Sequence, residues 1–193
     1  MIEREIKAKV TDPAAVVARL KAAGARLEFQ GLMFDRRLDS AGTLTARDQV
    51  LRLRRYQAEG RATRLVLGWK GPVSVDRGAK LRDEIEVEAV GDIDGLLAAL
   101  GYQTVHAIDR FVEVYRVGDA EVRIEWYPRM DVLVEIEGDE AAIEAAAAVT
   151  GIPRPAFSAE ALTAFVARHQ AAGGRPALSL AELGDGKPSW SGD

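Results

Sequence analysis

The sequence predicts an α+β fold in which short antiparallel strands outnumber the helices, and three observations support this prediction. Apolar and polar residues alternate with a period of two along about eight segments, as they do in strands. Tight turns rich in glycine, proline and aspartate separate the segments, which favours hairpins over long crossovers. The helical patterns are few, short and placed between strands. Together these features predict one antiparallel sheet with helices packed on its outside.

The first half of the chain contains most of the predicted strands. In the N-terminal strand, which we place over residues 1–10, the odd-numbered positions are mainly charged and the even-numbered positions mainly apolar. Asp12 then caps a short helix that begins with proline and ends at Gly24. The following strands are predicted over 27–38, 50–56, 63–70 and 80–89, with a loop over 73–79.

The second half of the chain alternates strands and helices before it ends in a tail. A short helix lies between Gly91 and Gly101, Asp139 caps an alanine-rich helix, and Ser158 caps a last helix that reaches Gln170. The tail is rich in glycine, proline and serine, and we predict no regular structure there. The remaining strands are predicted over 108–117, 121–127 and 132–137, and the domain over 1–172, followed by a tail over 173–193 that is free to be flexible.

The composition narrows the classes of function. The chain has 193 residues, of which 48% are hydrophobic, so it can bury a sizeable core. Its net charge of -4 predicts neither nucleic acid nor a membrane as a partner. The absence of cysteine excludes disulfides, thiolate metal ligands and thiol nucleophiles. The charged N-terminus and the lack of a long apolar run predict a cytoplasmic protein.

The charged strand faces are the main functional signal. The ionic face of a single strand is most simply explained by contact with solvent. Its recurrence on nearly every strand favours a sheet closed into a barrel with the charges inside, because such an interior is costly to build for stability alone. The carboxylates inside would be Glu3, Glu5, Glu84, Glu86, Glu125, Glu135 and Glu137, and the cations would be Lys7, Arg52, Arg54, Lys70, Arg82, Arg110 and Arg123.

A cavity of this kind would bind a polyphosphate chelated to a metal ion. Carboxylates without sulfur or clustered histidine are hard oxygen ligands that suit Mg²⁺ or Mn²⁺. Arginine binds phosphate through paired hydrogen bonds, and lysine binds it as a point charge. His106 and His169 lie far apart with no serine at a nucleophile elbow, so the sequence does not predict a Ser-His-Asp triad.

Several short motifs occur in an order that is typical of one family. Residues 3–7 read Glu-Arg-Glu-Ile-Lys, an ExExK signature, and the basic strand 51–54 follows. The later motifs are the strand end 69–72, the R-x-E-x-E strand 82–86, and the acidic strands 123–125 and 134–137. In these motifs the chain resembles the CYTH proteins, or triphosphate tunnel metalloenzymes, which include class IV adenylyl cyclases, thiamine triphosphatases and inorganic triphosphatases. The resemblance covers residues 1–137 and implies a closed eight-stranded antiparallel tunnel.

The resemblance also implies roles for individual residues. The implied metal group comprises Glu3, Glu5, Glu125, Glu135 and Glu137, with Glu84 and Glu86 as further contributors. The implied substrate-binding group comprises Lys7, Arg52, Arg54, Lys70, Arg82 and Arg110, with Arg123 or Arg116 as a substitute for one missing cation. The residues nearest the chemistry would be Glu3, Glu5, Lys7 and Arg54.

The position that lacks the expected cation lies in the strand predicted over 108–117. Where the family often has a lysine and an arginine two positions apart, this chain has Arg110, Phe111 and Val112. The second strand departs as well, with Phe29, Gly31 and Met33 at positions that are polar or tyrosine in the family. These departures concern the substrate more than the fold.

Three functions remain open on the sequence. The first is metal-dependent hydrolysis of a triphosphate, whether tripolyphosphate, thiamine triphosphate or a nucleoside triphosphate. The second is a class IV adenylyl cyclase, in which the ribose 3′-hydroxyl of ATP attacks the α-phosphorus and pyrophosphate leaves. The third is a noncatalytic protein that binds nucleotide or polyphosphate. In each case the partner is a small-molecule triphosphate, and the oligomeric state stays open, a homodimer included.

Overall fold

The computed structural model describes residues 2–191, which form nine strands and four α-helices. Among these residues, no helix combines the length and the apolar character needed to cross a membrane. The strands are β1 (Ile2–Val10), β2 (Arg26–Asp39), β3 (Val50–Gln57), β4 (Arg64–Lys70), β5 (Ser74–Asp76), β6 (Ala79–Ala89), β7 (Gln103–Val117), β8 (Ala120–Trp126) and β9 (Val132–Glu137). The helices are α1 (Pro13–Ala22), α2 (Ile93–Ala99), α3 (Glu140–Thr150) and α4 (Leu162–Ala171).

Eight of the strands close into a ring. The hydrogen-bonded order is β1-β9-β8-β7-β2-β3-β4-β6, and β6 pairs back with β1. Every pairing in the sheet is antiparallel. The short strand β5 lies in the segment predicted as a loop and pairs with the first residues of β6. The predicted α+β fold, with an eight-stranded antiparallel ring and helices outside it, is confirmed.

The largest apolar core lies outside the ring, between the sheet and two helices. Ile6, Ile124 and Ile136 are fully buried on the outer face of the sheet, and Leu20 of α1 and Ile143 of α3 pack in the same cluster. Burial of this face removes much apolar surface from water, which is the main favourable term in folding. Because the outer face supplies the core, the inner face is available for charged side chains.

The inner face changes character along the tunnel. One end is ionic, and at the other end Met33, Tyr56, Val66 and Val112 form an apolar cluster in which no residue is more than 8% exposed. Val66 lies directly opposite Glu88 in the pairing of β4 with β6, so the carboxylate of Glu88 lies near the apolar cluster. The interior of the ring is therefore mainly apolar at one end and ionic at the other.

The structure corrects the prediction for the start of the last helix. Ser158 does not cap it, because α4 begins at Leu162 after Ala161 and has no side-chain cap. Instead, Ser158 pairs with Lys7 through two reciprocal backbone hydrogen bonds of 2.9 Å. The pairing of β6 with β1 ends at Glu5, and Ser158 takes the next pairing position on β1. The backbone of Ser158 is therefore used in a long-range pairing with β1 and not at the start of a helix.

The C-terminal tail, for which the sequence predicts no regular structure, is packed against the ring between 177 and 183. Ala177 is fully buried and pairs with Arg129 through reciprocal backbone hydrogen bonds of 2.8 and 3.1 Å. Residues Leu180–Leu183 form a 3-10 turn, and Leu178 packs in an apolar cluster with Phe165. The tail therefore contributes to the wall around the ionic end of the tunnel.

Candidate active site

A cavity of about 360 Å³ occupies the ionic end of the tunnel. Apart from the wall formed by Leu162, Leu178 and their neighbours, its lining is mainly charged. Eight lysines and arginines line it against four aspartates and glutamates, so the cavity carries an excess of positive charge that suits an anion. The cations are Lys7, Arg37, Arg52, Arg54, Lys70, Lys80, Arg82 and Arg110, and the carboxylates are Glu5, Asp35, Asp48 and Glu135.

Three carboxylates converge beside this cavity. Oxygen atoms of Glu3, Glu5 and Glu137 lie within 4.8 Å of one another, and Glu3 and Glu5 are buried while Glu137 is half-buried. The Oε2 atom of Glu3 is buried and has no hydrogen-bond partner within residues 2–191. Grouped carboxylate oxygens are the ligands that hard divalent cations prefer. The donor set and the orphaned oxygen therefore fit Mg²⁺ or Mn²⁺.

The crowding of these carboxylates affects their pKa values. Burial raises the pKa of Glu137 well above its ordinary value, and the neighbouring carboxylates Glu135 and Glu3 raise it further, although Arg123 opposes them. Burial alone would also raise the pKa of Glu5, but the charge of Lys7, aided by Lys80, lowers it to about 2. A divalent cation would relieve the repulsion, because it favours the ionised form of each ligand.

Glu135 is next to the three converging carboxylates but is held by cations. It contacts the ammonium of Lys7, and its Oε1 lies 3.1 Å from the guanidinium of Arg123. Although burial opposes its ionisation, Lys7 and Arg123 hold the pKa of Glu135 well below its usual range. Glu135 therefore presents a charged oxygen to the cavity at any ordinary pH.

The other predicted acidic residues pair with arginines. Arg52 lies 2.8 Å from Glu84 and 3.2 Å from Glu86, and Arg54 lies 3.1 Å from Glu86. These pairs join β3 to β6 across the interior of the ring. Glu84 and Glu86 thus lie where they can hold the arginines in place, and they are outside the group of three carboxylates.

Glu125 is held in a separate hydrogen-bonded set. It is fully buried, its Oε2 accepts a 2.6 Å hydrogen bond from the hydroxyl of Tyr127, and Arg110 lies 3.3 Å from its Oε1. Arg110 also donates to the Tyr127 hydroxyl at 3.2 Å. Burial and the charge of Glu125 raise the pKa of Tyr127, so its hydroxyl stays protonated as a donor. The sequence alone did not single out Tyr127.

All six of the principal predicted phosphate ligands line the cavity, whereas Arg123 does not. Arg123 lies 2.6 Å from Glu121 and 3.1 Å from both Glu135 and Glu137. Arg116 pairs instead with Glu28 and Glu121, at 3.2 and 3.3 Å. Neither arginine is therefore placed to supply the cation that is missing at Val112. Val112 itself is fully buried in the apolar cluster at the other end of the tunnel.

Asp35 is a site residue that sequence reasoning missed. Its carboxylate is 3% exposed and lies 3.3 Å from Arg54, 3.6 Å from Arg110 and 3.9 Å from Arg52. Three cavity arginines on two strands therefore share one counter-ion. The alternation of Met33, Asp35 and Arg37 could have indicated that Asp35 points into the ring. These residues lie near the predicted end of the strand, where the alternation was not followed.

Arg37 and Lys80 also line the cavity and were not among the predicted ligands. Lys80 contacts the carboxylate of Glu5. The side chain of Arg37 makes no hydrogen bond and no ion pair with any residue from 2 to 191, although Asp35, Arg52 and Arg110 all influence its charge. Burial and the neighbouring arginines lower the pKa of Arg37, which indicates an excess of positive charge around it. Its guanidinium is available to an incoming anion.

Comparison with known proteins places the chain among proteins of the same fold. No protein-family model matches it. It is 31% identical over 142 residues to "Putative adenylate cyclase MJ0240" of Methanocaldococcus jannaschii, a match that covers 71% of this chain and 77% of that protein. The X-ray structure of a putative adenylate cyclase from Vibrio parahaemolyticus superposes with a TM-score of 0.69 at 18% identity, covering 86% of this chain and 98% of that one.

A plant protein shows the same fold over a larger share of the chain. The putative adenylyl cyclase HpAC1 from Hippeastrum, described as having a dominant triphosphatase activity, superposes with a TM-score of 0.59 at 19% identity. This match covers 92% of the present chain and 99% of the Hippeastrum chain. The two structures show the fold, and the relative that is 31% identical shows the family.

Proposed function

Because the chain belongs to the CYTH family of triphosphate tunnel proteins, we propose that it hydrolyses a triphosphate held in the tunnel together with Mg²⁺ or Mn²⁺. One observation carries the proposal: eight cations line a single cavity beside three carboxylates whose oxygens lie within 4.8 Å of one another. Cations suit the phosphates and the carboxylates suit the metal. The description of HpAC1 as a triphosphatase supports hydrolysis as the reaction.

The metal would be held by Glu3, Glu5 and Glu137. When bound, it supplies positive charge to phosphate oxygens and so favours the charge that develops in phosphoryl transfer. Lys70 contacts Glu3, and Lys80 contacts Glu5, so lysines adjoin the metal ligands on the side of the cavity. A phosphate oxygen could exchange places with a carboxylate as the partner of either lysine.

The remaining cations would bind the phosphate chain and hold it in line. Arg52, Arg54 and Arg110 are fixed by Asp35 and by glutamates on β6 and β8, which orients their guanidinium groups before substrate arrives. Arg82 is fixed differently, by donating hydrogen bonds of 2.5 and 2.6 Å to the carbonyls of Gly71 and Asp48. Preorganised donors of this kind stabilise a transition state more than a flexible ground state.

Hydrolysis needs a water molecule placed opposite the leaving group. The attacking water forms a new P–O bond to the terminal phosphorus, the bridging P–O bond breaks, and the diphosphate or nucleoside diphosphate leaves. The transition state of phosphoryl transfer is loose, so the water needs orientation more than early deprotonation. Glu135, which stays ionised beside Lys7, can accept a hydrogen bond from this water, and the released proton leaves with the phosphate product.

A cyclase reaction is the second candidate, and the names of two relatives favour it. The phosphate-binding groups would be the same, but the ribose 3′-hydroxyl of ATP would attack the α-phosphorus. Cyclic AMP would form and pyrophosphate would leave. The two reactions therefore differ in their products, and one experiment can separate them.

The experiment supplies purified protein with tripolyphosphate, ATP or thiamine triphosphate, in Mg²⁺ and in Mn²⁺, and measures phosphate, pyrophosphate and cyclic AMP. We expect phosphate release that falls at least a hundredfold in Glu3→Gln and Glu5→Gln, with Glu144→Gln on the outer surface as the control. If cyclic AMP is the main product formed from ATP, the proposal of hydrolysis is wrong and the protein is a cyclase. Tight triphosphate binding without any product would identify a noncatalytic binder.

A further inference from the structure

Three buried polar side chains meet at one wall of the cavity. Arg110 of β7 is 7% exposed, and Glu125 and Tyr127 are fully buried. Because side chains alternate along a strand, Tyr127, one residue beyond β8, points into the ring on the same face as Glu125. Arg110 and Tyr127 line the cavity, and Glu125 does not. The carboxylate can therefore act on the cavity only through its two neighbours.

The hydroxyl of Tyr127 connects the other two side chains. It donates a 2.6 Å hydrogen bond to Oε2 of Glu125 and accepts a 3.2 Å hydrogen bond from Nη1 of Arg110. A phenol has one proton to donate and lone pairs that accept, so one hydroxyl can serve both partners at once. The same Nη1 lies 3.3 Å from Glu125, and Nη2 lies 3.6 Å from Asp35. Both terminal nitrogens of the guanidinium are therefore anchored.

The position of Tyr127 is itself fixed by its surroundings. Its ring packs in a buried apolar cluster that includes Ile108 and Leu178. The guanidinium carbon of Arg110 lies 5.8 Å from the centroid of the ring. The backbone carbonyl of Tyr127 accepts a 2.7 Å hydrogen bond from the hydroxyl of Ser189 in the C-terminal tail. A side chain held in this way can orient a neighbouring cation before substrate arrives.

The same arrangement disfavours a metal ion at Glu125, for which the sequence resemblance implies a metal-binding role. The carboxylates that converge within the described part of the chain are Glu3, Glu5 and Glu137. Oε2 of Glu125 already accepts from Tyr127. Its Oε1 makes no hydrogen bond to any residue from 2 to 191, but it lies 3.3 Å from Arg110. A divalent ion at Oε1 would be repelled by the guanidinium at close range.

We infer that Tyr127 and Glu125 are positioning residues that direct the guanidinium of Arg110 toward the phosphate chain, and that Glu125 does not bind the metal. The inference rests on the proposed function, because Arg110 needs orientation only if an anion enters the cavity. Glu125 supplies the counter-charge and holds the hydroxyl, and Tyr127 gives the direction. Removal of the hydroxyl leaves the charge of the cavity unchanged, so its effect on binding reports orientation.

The first test compares tripolyphosphate binding by the full chain and by Tyr127→Phe, using isothermal titration calorimetry without divalent metal. We expect Tyr127→Phe to bind about tenfold more weakly, because Arg110 loses an orienting hydrogen bond. The matched control is Tyr115→Phe on the outer face of β7. Tyr115 is 1% exposed and donates a 2.7 Å hydrogen bond to Glu113. This control should bind like the wild type, and circular dichroism reports whether each variant is folded.

A double-mutant cycle tests whether Tyr127 acts through Arg110. In protein that already carries Arg110→Met, the further change Tyr127→Phe should alter tripolyphosphate affinity by less than about twofold. A general loosening of the cavity wall would instead weaken binding equally in both backgrounds. The cycle therefore separates orientation of one cation from a structural effect.

Metal binding tests the role of Glu125 and requires no change at Arg110. Electron paramagnetic resonance of free Mn²⁺ should give Glu125→Gln an affinity within about threefold of the wild type, whereas Glu137→Gln should lose about tenfold or more. Glu113→Gln removes another carboxylate that accepts a hydrogen bond from a buried tyrosine, and it serves as the control.

Three results would overturn the inference. Equal tripolyphosphate affinity of the wild type and Tyr127→Phe would show that the hydroxyl does not orient Arg110. A loss of the same size in the Arg110→Met background would give Tyr127 a structural role only. A loss of Mn²⁺ affinity in Glu125→Gln as large as in Glu137→Gln would make Glu125 a metal ligand.

Failure of the proposed function gives a different result. If the wild type binds tripolyphosphate but releases no product from any triphosphate, the proposed hydrolysis is wrong, and the variants still decide the inference. If the wild type does not bind tripolyphosphate, the proposed function and the inference are both wrong.

Discussion

The carboxylate of Asp35 lies 3.3 Å from the guanidinium of Arg54, and both side chains are almost completely buried. Because Arg52 and Arg110 approach the same carboxylate at 3.9 and 3.6 Å, one acid from β2 is shared as a counter-ion by three cations of the cavity. The Oδ1 atom of Asp35 has no hydrogen-bond partner within residues 2–191. The pairing therefore depends on charge more than on a complete set of hydrogen bonds, and it makes Asp35 a sensitive position.

We predict that Asp35→Asn destabilises the fold by about 3 kcal/mol, because a buried charge that loses its partner keeps its desolvation cost. Urea unfolding measures the change, with Asp119→Asn in an exposed turn as the control. Tripolyphosphate should restore part of the lost stability in Asp35→Asn, since the anion can replace the missing carboxylate. Equal stability of the variant and the wild type would contradict the role of Asp35 as a counter-ion.

Asp35 should also give the stability of the fold a dependence on acid pH. Burial alone would raise its pKa, but Arg52 and Arg54 lower it from 3.8 to about 2. A group whose pKa is lowered by folding stabilises the folded state above its unfolded pKa, and this contribution is lost as the pH falls through the folded pKa. We expect about 2 kcal/mol to be lost between about pH 4 and pH 2.

This pH prediction is measured as a difference between two proteins, so that other acidic groups cancel. The difference in the free energy of unfolding between the wild type and Asp35→Asn should become smaller as the pH is lowered over this range. A difference that stays constant would mean that Asp35 titrates alike in the folded and unfolded states.

Arg37 should contribute to substrate binding while contributing little to stability, because it has no ion-pair partner within residues 2–191. We predict that Arg37→Ala weakens tripolyphosphate binding about tenfold, since a charge-assisted contact to phosphate is worth about 1.5 kcal/mol or more. Isothermal titration calorimetry measures the affinity. Arg55→Ala, on the outer face of β3, is the matched control. Unchanged affinity in Arg37→Ala would remove Arg37 from the binding group.

Metal binding should depend on Glu137 and on pH. We predict that Glu137→Gln weakens Mn²⁺ binding by roughly tenfold or more, because it removes one of three converging carboxylates. Because burial raises the pKa of Glu137, the ion must displace a proton, and the affinity of the wild type should fall as the pH falls. Electron paramagnetic resonance of free Mn²⁺ measures both effects, with Glu144→Gln as the control. Affinity that does not change with pH would contradict a protonated Glu137.

The strand pattern was sufficient to predict much of the fold and of the candidate site. Alternation is a local property, so the inward faces that carry Glu3, Lys7 and Arg54 could be assigned before the ring was seen. Closure of the ring required the joint pattern of many strands. The ion pairs inside the ring could not be predicted from the sequence. The contact between Glu125 and Arg110, for example, depends on the register of β7 against β8.

The missed residues have specific causes. Asp35 and Arg37 lie near the end of the predicted strand, and a register shift between Arg37 and Leu38 obscures the alternation there. Ser158 has the composition of a helix cap but pairs with Lys7, a partner far away in the chain. The tail has few apolar residues, yet Ala177 and Leu178 are enough to pack it, because the ring supplies a surface that local composition does not reveal.

The apolar cluster of Met33, Tyr56, Val66 and Val112 limits how a long polymer of phosphate could be used. A polyphosphate that entered from the cavity would meet this apolar cluster, so we expect that it would not pass through the ring. If the proposed hydrolysis is correct, only the terminus of such a polymer would reach the carboxylates of Glu3, Glu5 and Glu137. Degradation of such a polymer would proceed stepwise from the end, and interior bonds would be spared until they became terminal.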